Sequence, residues 1–229
     1  MQTIYGKSRE FAPELENRIA AYRHKIFIER LGWPLPVENG MERDQFDHPD
    51  TLYVLTQESN EAICGCARLL PTTEPYLLSE IFPHLLNGAS IPESHEVWEL
   101  SRFAAASINP NSTIDPAANT RKLLAAAVKC ASEQGAKRLI TVSPLGIERL
   151  LHRMGVHAHR AGPPVLVDGK PIFACWIEID EQTIAALGVD SMDNQMQEVS
   201  NMHGSAAEKS QPLTVRCLPA AENRHLLER

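Results

Sequence analysis

The sequence contains no long apolar run. None of its hydrophobic stretches approaches the roughly 18 residues that a transmembrane helix needs, and residues 1–10 lack the apolar segment of a secretory signal. We therefore expect no membrane insertion and a location in the cytoplasm. An excess of positive charge is also missing, since 22 lysines and arginines stand against 29 aspartates and glutamates, a net charge of -7. This balance argues against a general nucleic-acid binder, which needs a positive surface to meet phosphates.

Cysteine is too scarce and too scattered to build a disulfide framework or a zinc site. The five cysteines include no CxxC pair, and their odd number fits a reduced protein. Cys64 and Cys66 point to the same face of one predicted strand, but no further Cys or His completes a metal-ligand pattern. We interpret both as packing residues and expect no bound metal.

Common catalytic and nucleotide-binding motifs are absent as well. No GxSxG motif accompanies a histidine, so nothing supports serine-hydrolase chemistry. Neither GxxxxGK followed by Ser or Thr nor GxGxxG occurs, which argues against nucleoside-triphosphate and Rossmann dinucleotide sites.

Aromatic residues are missing from the last 53 residues, because all of them lie between Tyr5 and Trp176. From about Ser191 onward the chain is rich in Ser, Asn, Gln and Glu, which bury too little apolar surface to offset the entropy lost on ordering. We predict one domain over residues 1–190 and a weakly ordered tail over residues 191–229. A short helix at 213–227 is the alternative for part of that tail.

The rest of the sequence has an ordinary globular composition, with 43% hydrophobic and 22% charged residues. Apolar periodicity and turn residues predict helices at 11–31, 77–86, 115–135 and 143–155, strands at 51–56, 62–70, 97–105, 138–142, 156–160 and 171–179, and a long functional loop at 33–49. The first two strands form a hairpin, and Asp115-Pro116 is a typical helix start. This order predicts an α/β fold, a three-layer α-β-α sandwich with a mixed sheet between helices.

The first candidate site combines arginines and aromatic rings from one helix and its end with carboxylates from the loop: Arg23, Phe27, Arg30, Trp33, Asp44 and Asp47. Helical spacing puts the first three on adjacent turns. In one interpretation the phenylalanine belongs to the core, the arginines extend into solvent and the acidic loop is simply solvated. The other is a site for a zwitterionic ligand with an aromatic group, whose carboxylate binds arginine and whose cationic centre faces the aspartates.

The second candidate site lies in the apolar strand at 97–105. Ionised Glu99 and Arg102 need partners there, in a structural salt bridge or in an active site. Strand alternation places Glu99 and Phe103 on one face and Arg102 on the other. If Glu99 and Arg102 share a site, the strand must bulge between them, and we predict such a bulge. Arg68, on the neighbouring strand, is a third member of this charge network.

A third feature is a basic stretch within this acidic protein. It contains Arg138, Arg149, His152, Arg153, His157, His159 and Arg160. Such charges usually form a solvated helix face. Because this stretch opposes the net charge, we interpret it as a docking surface for an acidic partner.

Together these motifs resemble the LuxI-type acyl-homoserine-lactone synthases of bacterial quorum sensing. The resemblance runs from about Tyr22 to Asp180 and is densest in Tyr22-Arg-His-Lys-Ile-Phe, Leu31-Gly-Trp, Glu42-Arg-Asp-Gln-Phe-Asp, Cys66-Ala-Arg-Leu-Leu-Pro-Thr-Thr and Trp98-Glu-Leu-Ser-Arg-Phe. The charged and aromatic signature of the family is intact at Arg23, Phe27, Trp33, Asp44, Asp47, Arg68, Glu99 and Arg102.

The resemblance implies a fold like that of the GNAT acetyltransferases, with a mixed, largely antiparallel sheet. It implies two substrates and no cofactor: S-adenosylmethionine and a fatty acyl chain on acyl carrier protein. Acyl transfer to the methionine amine would form an amide. The substrate carboxylate would then attack the γ-carbon, close the lactone and release 5′-methylthioadenosine.

The resemblance also implies roles for individual residues. Glu99 would be the general base, and the other catalytic residues would be Arg102, Arg23, Asp44 and Asp47. S-adenosylmethionine would contact Phe27, Arg30, Trp33, Arg68 and Phe103. The acyl pocket would include Ser101, Leu139, Thr141 and Ser143, and the serine at 143 favours an unsubstituted chain of medium length. Acyl carrier protein, which is strongly acidic, would dock on Arg138, Arg149, Arg153 and Arg160.

Two alternatives remain. One is a GNAT-like N-acyltransferase that uses acyl-coenzyme A. Such enzymes usually have a glycine-containing loop that holds the pyrophosphate at a helix start, whereas residues 109–122 contain no glycine. The other is a non-catalytic protein that binds an adenosyl ligand or a lactone, and the intact Glu99 and Arg102 argue against it.

Overall fold

The computed structural model describes residues 1–192 and 196–198. The strands in this part of the chain are β1 (Gln2–Lys7), β2 (Val37–Glu38), β3 (Met41–Glu42), β4 (Leu52–Gln57), β5 (Ile63–Pro71), β6 (Val97–Ala104), β7 (Arg138–Pro144), β8 (Ala158–Arg160), β9 (Val165–Val167), β10 (Lys170–Glu178) and β11 (Met196–Glu198). The α-helices are α1 (Pro13–Arg23), α2 (Leu77–Ile81), α3 (Pro116–Glu133), α4 (Leu145–Arg153) and α5 (Glu181–Leu187), and a π-helix spans His24–Arg30. Short 3-10 helices span Ser8–Glu10, Pro83–Leu86 and Val189–Met192.

The main sheet is mixed and largely antiparallel, which confirms the expected arrangement. Among the described strands its order is β11-β1-β4-β5-β6-β7-β10-β8, and β9 also pairs with β10. The pairs β6–β7 and β1–β11 are parallel, whereas the other neighbours in the main sheet are antiparallel. A separate small hairpin joins β2 and β3.

The sheet opens between β6 and β7. Their parallel register ends where Glu99 lies opposite Ile140. Both strands continue, β6 to Ala104 and β7 to Pro144. In these continuations β6 pairs with β5 and β7 pairs with β10. Glu99 therefore lies where the two central strands separate.

Helices cover both faces of the sheet, which confirms the three-layer prediction. On one face, Leu100 and Leu139 belong to a large core that includes the apolar side of α3 and Leu187 of α5. On the other face, Cys66 and Tyr53 pack against residues of α1 and the π-helix. Within the described ranges, no helix is both long enough and apolar enough to cross a membrane.

The predicted helix start at Asp115 is confirmed. The Asp115 carboxylate accepts hydrogen bonds from the backbone N–H of Ala117 (3.1 Å) and Ala118 (3.3 Å), and Pro116 occupies the first helical position. Gly135 follows the helix with φ of +86°, a conformation that glycine adopts at low cost. The caps that the sequence contains thus determine both ends of α3.

The predicted helix at 11–31 is divided into α1 and the π-helix, and the 3-10 helix Ser8–Glu10 precedes it. In the π-helix the N–H of Leu31 donates to the carbonyl of Ile26, five residues earlier, at 3.0 Å. Gly32 then takes φ of +65°, and the N–H of Trp33 donates back to the carbonyl of Phe27 at 2.9 Å. This turn places Trp33 over the π-helix.

Five of the described strands and one α-helix were not predicted: β1, β2, β3, β9, β11 and α5. The run Thr3-Ile4-Tyr5 in β1 is rich in β-branched and aromatic residues and was a usable signal. Of the predicted tail, Ser191 and Met192 end a 3-10 helix and Met196–Glu198 pairs in parallel with β1. The alternative helix at 213–227 lies outside the described residues.

Candidate active site

Three arginines and three carboxylates from four parts of the chain form a buried network on the face of α1. The arginines come from α1, β5 and β6, and the carboxylates come from β3 and the loop that follows it: Arg23, Arg68, Arg102, Glu42, Asp44 and Asp47. No side chain in the set is more than 11% exposed. Their formal charges cancel, which allows six ionised groups to be buried together.

Arg23 joins the network to α1. Its Nε donates to Glu42 Oε2 at 2.5 Å, and its Nη1 donates to Asp47 Oδ1 and to the hydroxyl of Tyr53, both at 2.8 Å. Burial opposes the ionisation of Glu42, but hydrogen bonds and charge from Arg23 and Arg102 outweigh it and hold the pKa of Glu42 below its usual value. Glu42 therefore remains an anion in the interior.

Arg68 links two loop carboxylates to the sheet. Its Nη1 donates to Asp44 Oδ1 at 2.6 Å and to Asp47 Oδ1 at 2.7 Å, and its Nε donates to the hydroxyl of Ser101 at 3.1 Å. Burial alone would raise the pKa of Asp47, but the charges of Arg23 and Arg68 reverse this effect and hold it far below its usual range. The loop is thereby fixed against β5.

Arg102 reaches the network because β6 bulges. Opposite β5, the register changes between Ser101 and Ala104, and Arg102 takes φ of +50°. Its Nη2 donates to Glu42 Oε1 at 2.9 Å and to Asp44 Oδ2 at 2.7 Å. The predicted bulge is confirmed, and it brings Arg102 to the face that alternation assigned to Glu99.

The bulge also reverses the face of Phe103. The sequence placed Phe103 with Glu99, but its ring packs against the core that contains Leu100 and Leu123 of α3. The placement of Phe103 beside the charged site was therefore wrong. An extra residue in a strand shifts every later side chain to the opposite face.

Glu99 is fully buried and holds the start of α2. Its carboxylate accepts hydrogen bonds from the backbone N–H of Leu78 at 2.7 Å and of Leu77 at 3.1 Å. Burial raises the pKa of Glu99, although these amides and the charge of Arg68 oppose the increase. A carboxylate with a raised pKa, next to the opening of the sheet, is suited to accept a proton.

Aromatic rings lie beside Arg102. Phe27 is buried beneath its guanidinium, 5.8 Å from the ring centroid, and Trp33 stacks on Phe27 with ring centroids 5.0 Å apart. Arg30 is exposed and lines a shallow groove with Lys25 instead. The helical stripe was wrong for Arg30, because residues of a π-helix turn through a smaller angle than those of an α-helix.

Two guanidinium nitrogens of the network have no hydrogen-bond partner among the described residues. Nη2 of Arg23 and Nη2 of Arg68 are buried and donate to no acceptor in the described part of the chain. Nη1 of Arg102 also lacks a hydrogen-bond acceptor among the described residues. Unlike the two Nη2 atoms, it is not fully buried. Arg102 is thus the arginine with a donor available to a ligand.

The predicted acyl-pocket residues divide between the two faces. Leu139 belongs to the α3-side core, and alternation along β7 places Thr141 and Ser143 on that same face, with their hydroxyls 3.4 Å apart. Ser101 instead bonds to Arg68 within the charged network. The structure therefore places Ser101 on the face of α1, opposite to the face of the three β7 residues.

The predicted docking arginines differ in how they are paired. Arg138 binds Glu178 at 2.7 Å and Arg160 binds Glu148 at 2.6 Å. Arg149 and Arg153, one turn apart on α4, are exposed and form no ion pair with another described residue. The free positive charge of the patch is therefore concentrated on α4.

Sequence reasoning missed Glu42 and Tyr53. Glu42 is fully buried between two arginines, and the hydroxyl of Tyr53 contacts both Arg23 and Asp47. The position of Glu42, two residues before Asp44 in the same acidic loop, was an available signal. Tyr53 gave no comparable signal, since an aromatic residue in a strand is ordinary.

Within the described ranges, no group of three or more His, Cys, Asp or Glu side chains is arranged to hold a metal ion. Four cysteines in this part of the chain are buried and unpaired, and burial raises the pKa of Cys66 to about 12. These thiols are packing groups.

Comparisons with known proteins agree with this geometry. The autoinducer synthase family matches residues 9–187. The acyl-homoserine-lactone synthase of Acinetobacter nosocomialis is 50% identical over 183 residues, which cover 78% of this chain and 100% of that protein. TofI, crystallised in a ternary complex with an inhibitor and MTA, is 51% identical with a TM-score of 0.75, covering 83% of this chain and 98% of that one.

Two further structures extend the comparison. BjaI, a CoA-dependent acyl-homoserine lactone synthase solved with SAM and isopentyl-CoA, has a TM-score of 0.76 at 27% identity and covers 86% of this chain and 92% of that one. A Lactobacillus plantarum chain assigned as an N-acetyltransferase has a TM-score of 0.51 at 20% identity, covers 78% of this chain and 98% of that one, and shares the fold alone. The fold is therefore GNAT-like, as expected. The chain belongs to the autoinducer synthase family and is an enzyme, an acyl-homoserine-lactone synthase.

Proposed function

We propose that this enzyme makes an N-acyl-L-homoserine lactone from S-adenosylmethionine and a medium-length acyl chain carried on acyl carrier protein. The observation that carries the proposal is the buried network of three arginines and three carboxylates, next to a buried carboxylate at the opening of the sheet. The complexes of TofI with MTA and of BjaI with SAM support the same amine substrate.

S-adenosylmethionine is a zwitterion with an additional sulfonium charge and an aromatic base. Phe27 and Trp33 offer stacked rings for the base, and Arg102 offers its available Nη1 for the carboxylate. Asp44 and Asp47 are the carboxylates of the network that the sulfonium would face, and their pairing with arginine fixes where their oxygens lie. Arg23 then orders the network rather than the ligand, because its free Nη2 is buried.

The first chemical step forms the amide. The methionine amine loses a proton to Glu99, directly or through water, and its nitrogen attacks the thioester carbonyl carbon. The bond from carbon to the carrier sulfur breaks, and the thiol leaves with a proton. The raised pKa of Glu99 supports its role as the base.

The second step closes the ring. A carboxylate oxygen of the acylated substrate attacks the γ-carbon, and the bond from that carbon to sulfur breaks. The sulfonium keeps the electron pair and leaves as neutral 5′-methylthioadenosine. No second nucleophile is needed, because the enzyme only has to hold the carboxylate close to the carbon.

The start of α3 supports a carrier-protein donor. In enzymes of this fold that use coenzyme A, backbone amides at a helix start hold the pyrophosphate. Here the amides of Ala117 and Ala118 donate to the carboxylate of Asp115, which also places a negative charge there. Free Arg149 and Arg153 on α4 give an acidic carrier protein a surface on which to dock.

A second candidate donor is acyl-coenzyme A. It is favoured by the likeness to BjaI, which is CoA-dependent. Purified enzyme should therefore be given S-adenosylmethionine with octanoyl carrier protein or with octanoyl-coenzyme A, and lactone and methylthioadenosine should be followed by mass spectrometry. We expect both products in equal amounts and faster turnover with the carrier protein. Faster turnover with coenzyme A would reverse the donor assignment, and acyl transfer without methylthioadenosine would exclude the lactone step.

A further inference from the structure

Tyr53 lies beneath the charged network, and the proposed chemistry does not use it. It lies on β4 directly opposite Arg68 of β5 and is 4% exposed. Its hydroxyl donates to Asp47 Oδ1 at 2.5 Å and accepts from Arg23 Nη1 at 2.8 Å. Among the described residues, Tyr53 is therefore the one neutral side chain whose hydroxyl connects an arginine of the network with a carboxylate of the network.

The network meets water at Asp47. This carboxylate is 11% exposed, whereas the side chains of the other five members are at most 5% exposed. A cleft of about 410 Å³ between α1 and the acidic loop is lined by Arg23, Asp47 and Tyr53. Water in this cleft competes for the Asp47 carboxylate, and a carboxylate that turns toward water no longer serves the network.

One oxygen atom of Asp47 accepts hydrogen bonds from both arginines and from Tyr53. Its Oδ1 accepts from Arg23 Nη1 at 2.8 Å, from Arg68 Nη1 at 2.7 Å and from the Tyr53 hydroxyl. Its Oδ2 accepts from the backbone N–H of Asp44 at 2.8 Å. Without the tyrosine hydroxyl, Oδ1 keeps only the two cationic donors, and Arg23 Nη1 loses one of its two acceptors.

We propose that Tyr53 is a positioning residue for the binding of S-adenosylmethionine, and that it acts by holding Asp47 toward Arg23 and Arg68 instead of toward the cleft. This inference rests on the proposed function, since S-adenosylmethionine is the cation that Asp47 would face. It assigns Tyr53 no contact with the acyl donor and no proton transfer.

The test compares two variants that each lose one buried hydroxyl. Tyr53→Phe removes the contacts with Asp47 and Arg23. Tyr22→Phe removes the hydrogen bonds to the backbone of Ala104 and Ala106, which do not belong to the network. The dissociation constant for S-adenosylmethionine is measured by calorimetry, KM is measured for each substrate, and the melting temperature shows the structural cost of each change.

We expect Tyr53→Phe to raise the dissociation constant and KM for S-adenosylmethionine about tenfold, the loss typical of one hydrogen bond to a charged group, and to leave KM for the acyl donor unchanged. Tyr22→Phe should lower the melting temperature similarly and bind S-adenosylmethionine normally. Equal binding by Tyr53→Phe and wild type, or an equal rise in KM for both substrates, would reduce Tyr53 to a packing residue. Wild-type enzyme that does not bind S-adenosylmethionine at all would instead overturn the proposed function.

Discussion

At the scale of single residues, one backbone angle assembles the charged network. Arg102 takes φ of +50°, a conformation that costs a non-glycine residue on the order of 1–3 kcal/mol. The ion pairs of Arg102 with Glu42 and Asp44 hold it there. The need to place Glu99 and Arg102 in one site was enough to predict a bulge from the sequence. Which residue would take the unusual angle, and hence where Phe103 would point, was not predictable from alternation.

Glu99 can be tested without removing its structural role. Alanine would leave the amides of Leu77 and Leu78 unsatisfied in the interior, whereas Glu99→Gln keeps an oxygen acceptor for the Leu78 amide. If Glu99 is the base, Glu99→Gln should lower kcat by about 10²- to 10⁴-fold, with a melting temperature that stays within a few degrees of wild type. Steady-state kinetics and thermal unfolding measure the two effects. Near-normal turnover would remove Glu99 from the role of base.

The raised pKa of Glu99 predicts a pH dependence. A general base must be ionised, so the rate falls as the pH decreases through its pKa in the enzyme. Burial places that pKa above the ordinary 4.5 of a glutamate. We expect kcat of the wild type to decline on the acidic side at a pH clearly above 4.5, and we expect the residual activity of Glu99→Gln to lack this decline. A wild-type profile that stays flat down to pH 4.5 would contradict the assignment.

At the scale of elements, local caps were predictable and changes of helix type were not. Asp115, Pro116 and Gly135 determine α3 through their own chemistry, and the structure places them as the sequence indicated. The π-helix depends on how its buried residues, Ile26 and Phe27, pack, which a period of 3.6 residues does not reveal. Phe27 is therefore buried and Arg30 exposed, although helical spacing put both on one stripe.

Close packing between elements gives a test at Gly162, which follows β8. A Cβ atom at this position would lie 2.1 Å from the carbonyl oxygen of Leu85, so Gly162→Ala must displace backbone. We expect a loss of about 1–3 kcal/mol in the free energy of unfolding, measured by denaturant titration. Gly146→Ala in α4 is the matched control, because a Cβ there meets nothing within 4 Å and alanine favours a helix. Equal stabilities of the two variants would show that the loop adjusts freely.

At the scale of the whole molecule, the sheet separates two kinds of chemistry. The charged network lies on the face of α1, and Leu139, Thr141 and Ser143 lie on the face of α3. The opening between β6 and β7 connects the two faces beside Glu99. Composition and periodicity could not predict this meeting, because the network residues are spread from position 23 to position 102. The family resemblance grouped most of them, and only the folded chain added Glu42 and Tyr53.

The distribution of surface charge gives the last prediction. Arg138 and Arg160 are neutralised by Glu178 and Glu148, which leaves Arg149 and Arg153 as the free charges on α4. Reversing both to glutamate should raise KM for octanoyl carrier protein on the order of tenfold at low salt, because like charges then repel the acidic carrier. KM for octanoyl-pantetheine, which carries no protein, should not change.

A double reversal at Lys7 and Arg18 is the control for net charge, since it alters the sum equally outside α4; because these two residues pair with Asp50 and Glu61, the melting temperature of this control is measured as well. That control should leave KM for octanoyl carrier protein near the wild-type value, because docking depends on where the charge lies and not on its sum. A change confined to kcat in the Arg149 and Arg153 variant would place the docking surface elsewhere. An equal rise in KM for both acyl donors would point to damage in the proposed acyl pocket at Leu139, Thr141 and Ser143, since only the carrier-bound donor needs a protein surface.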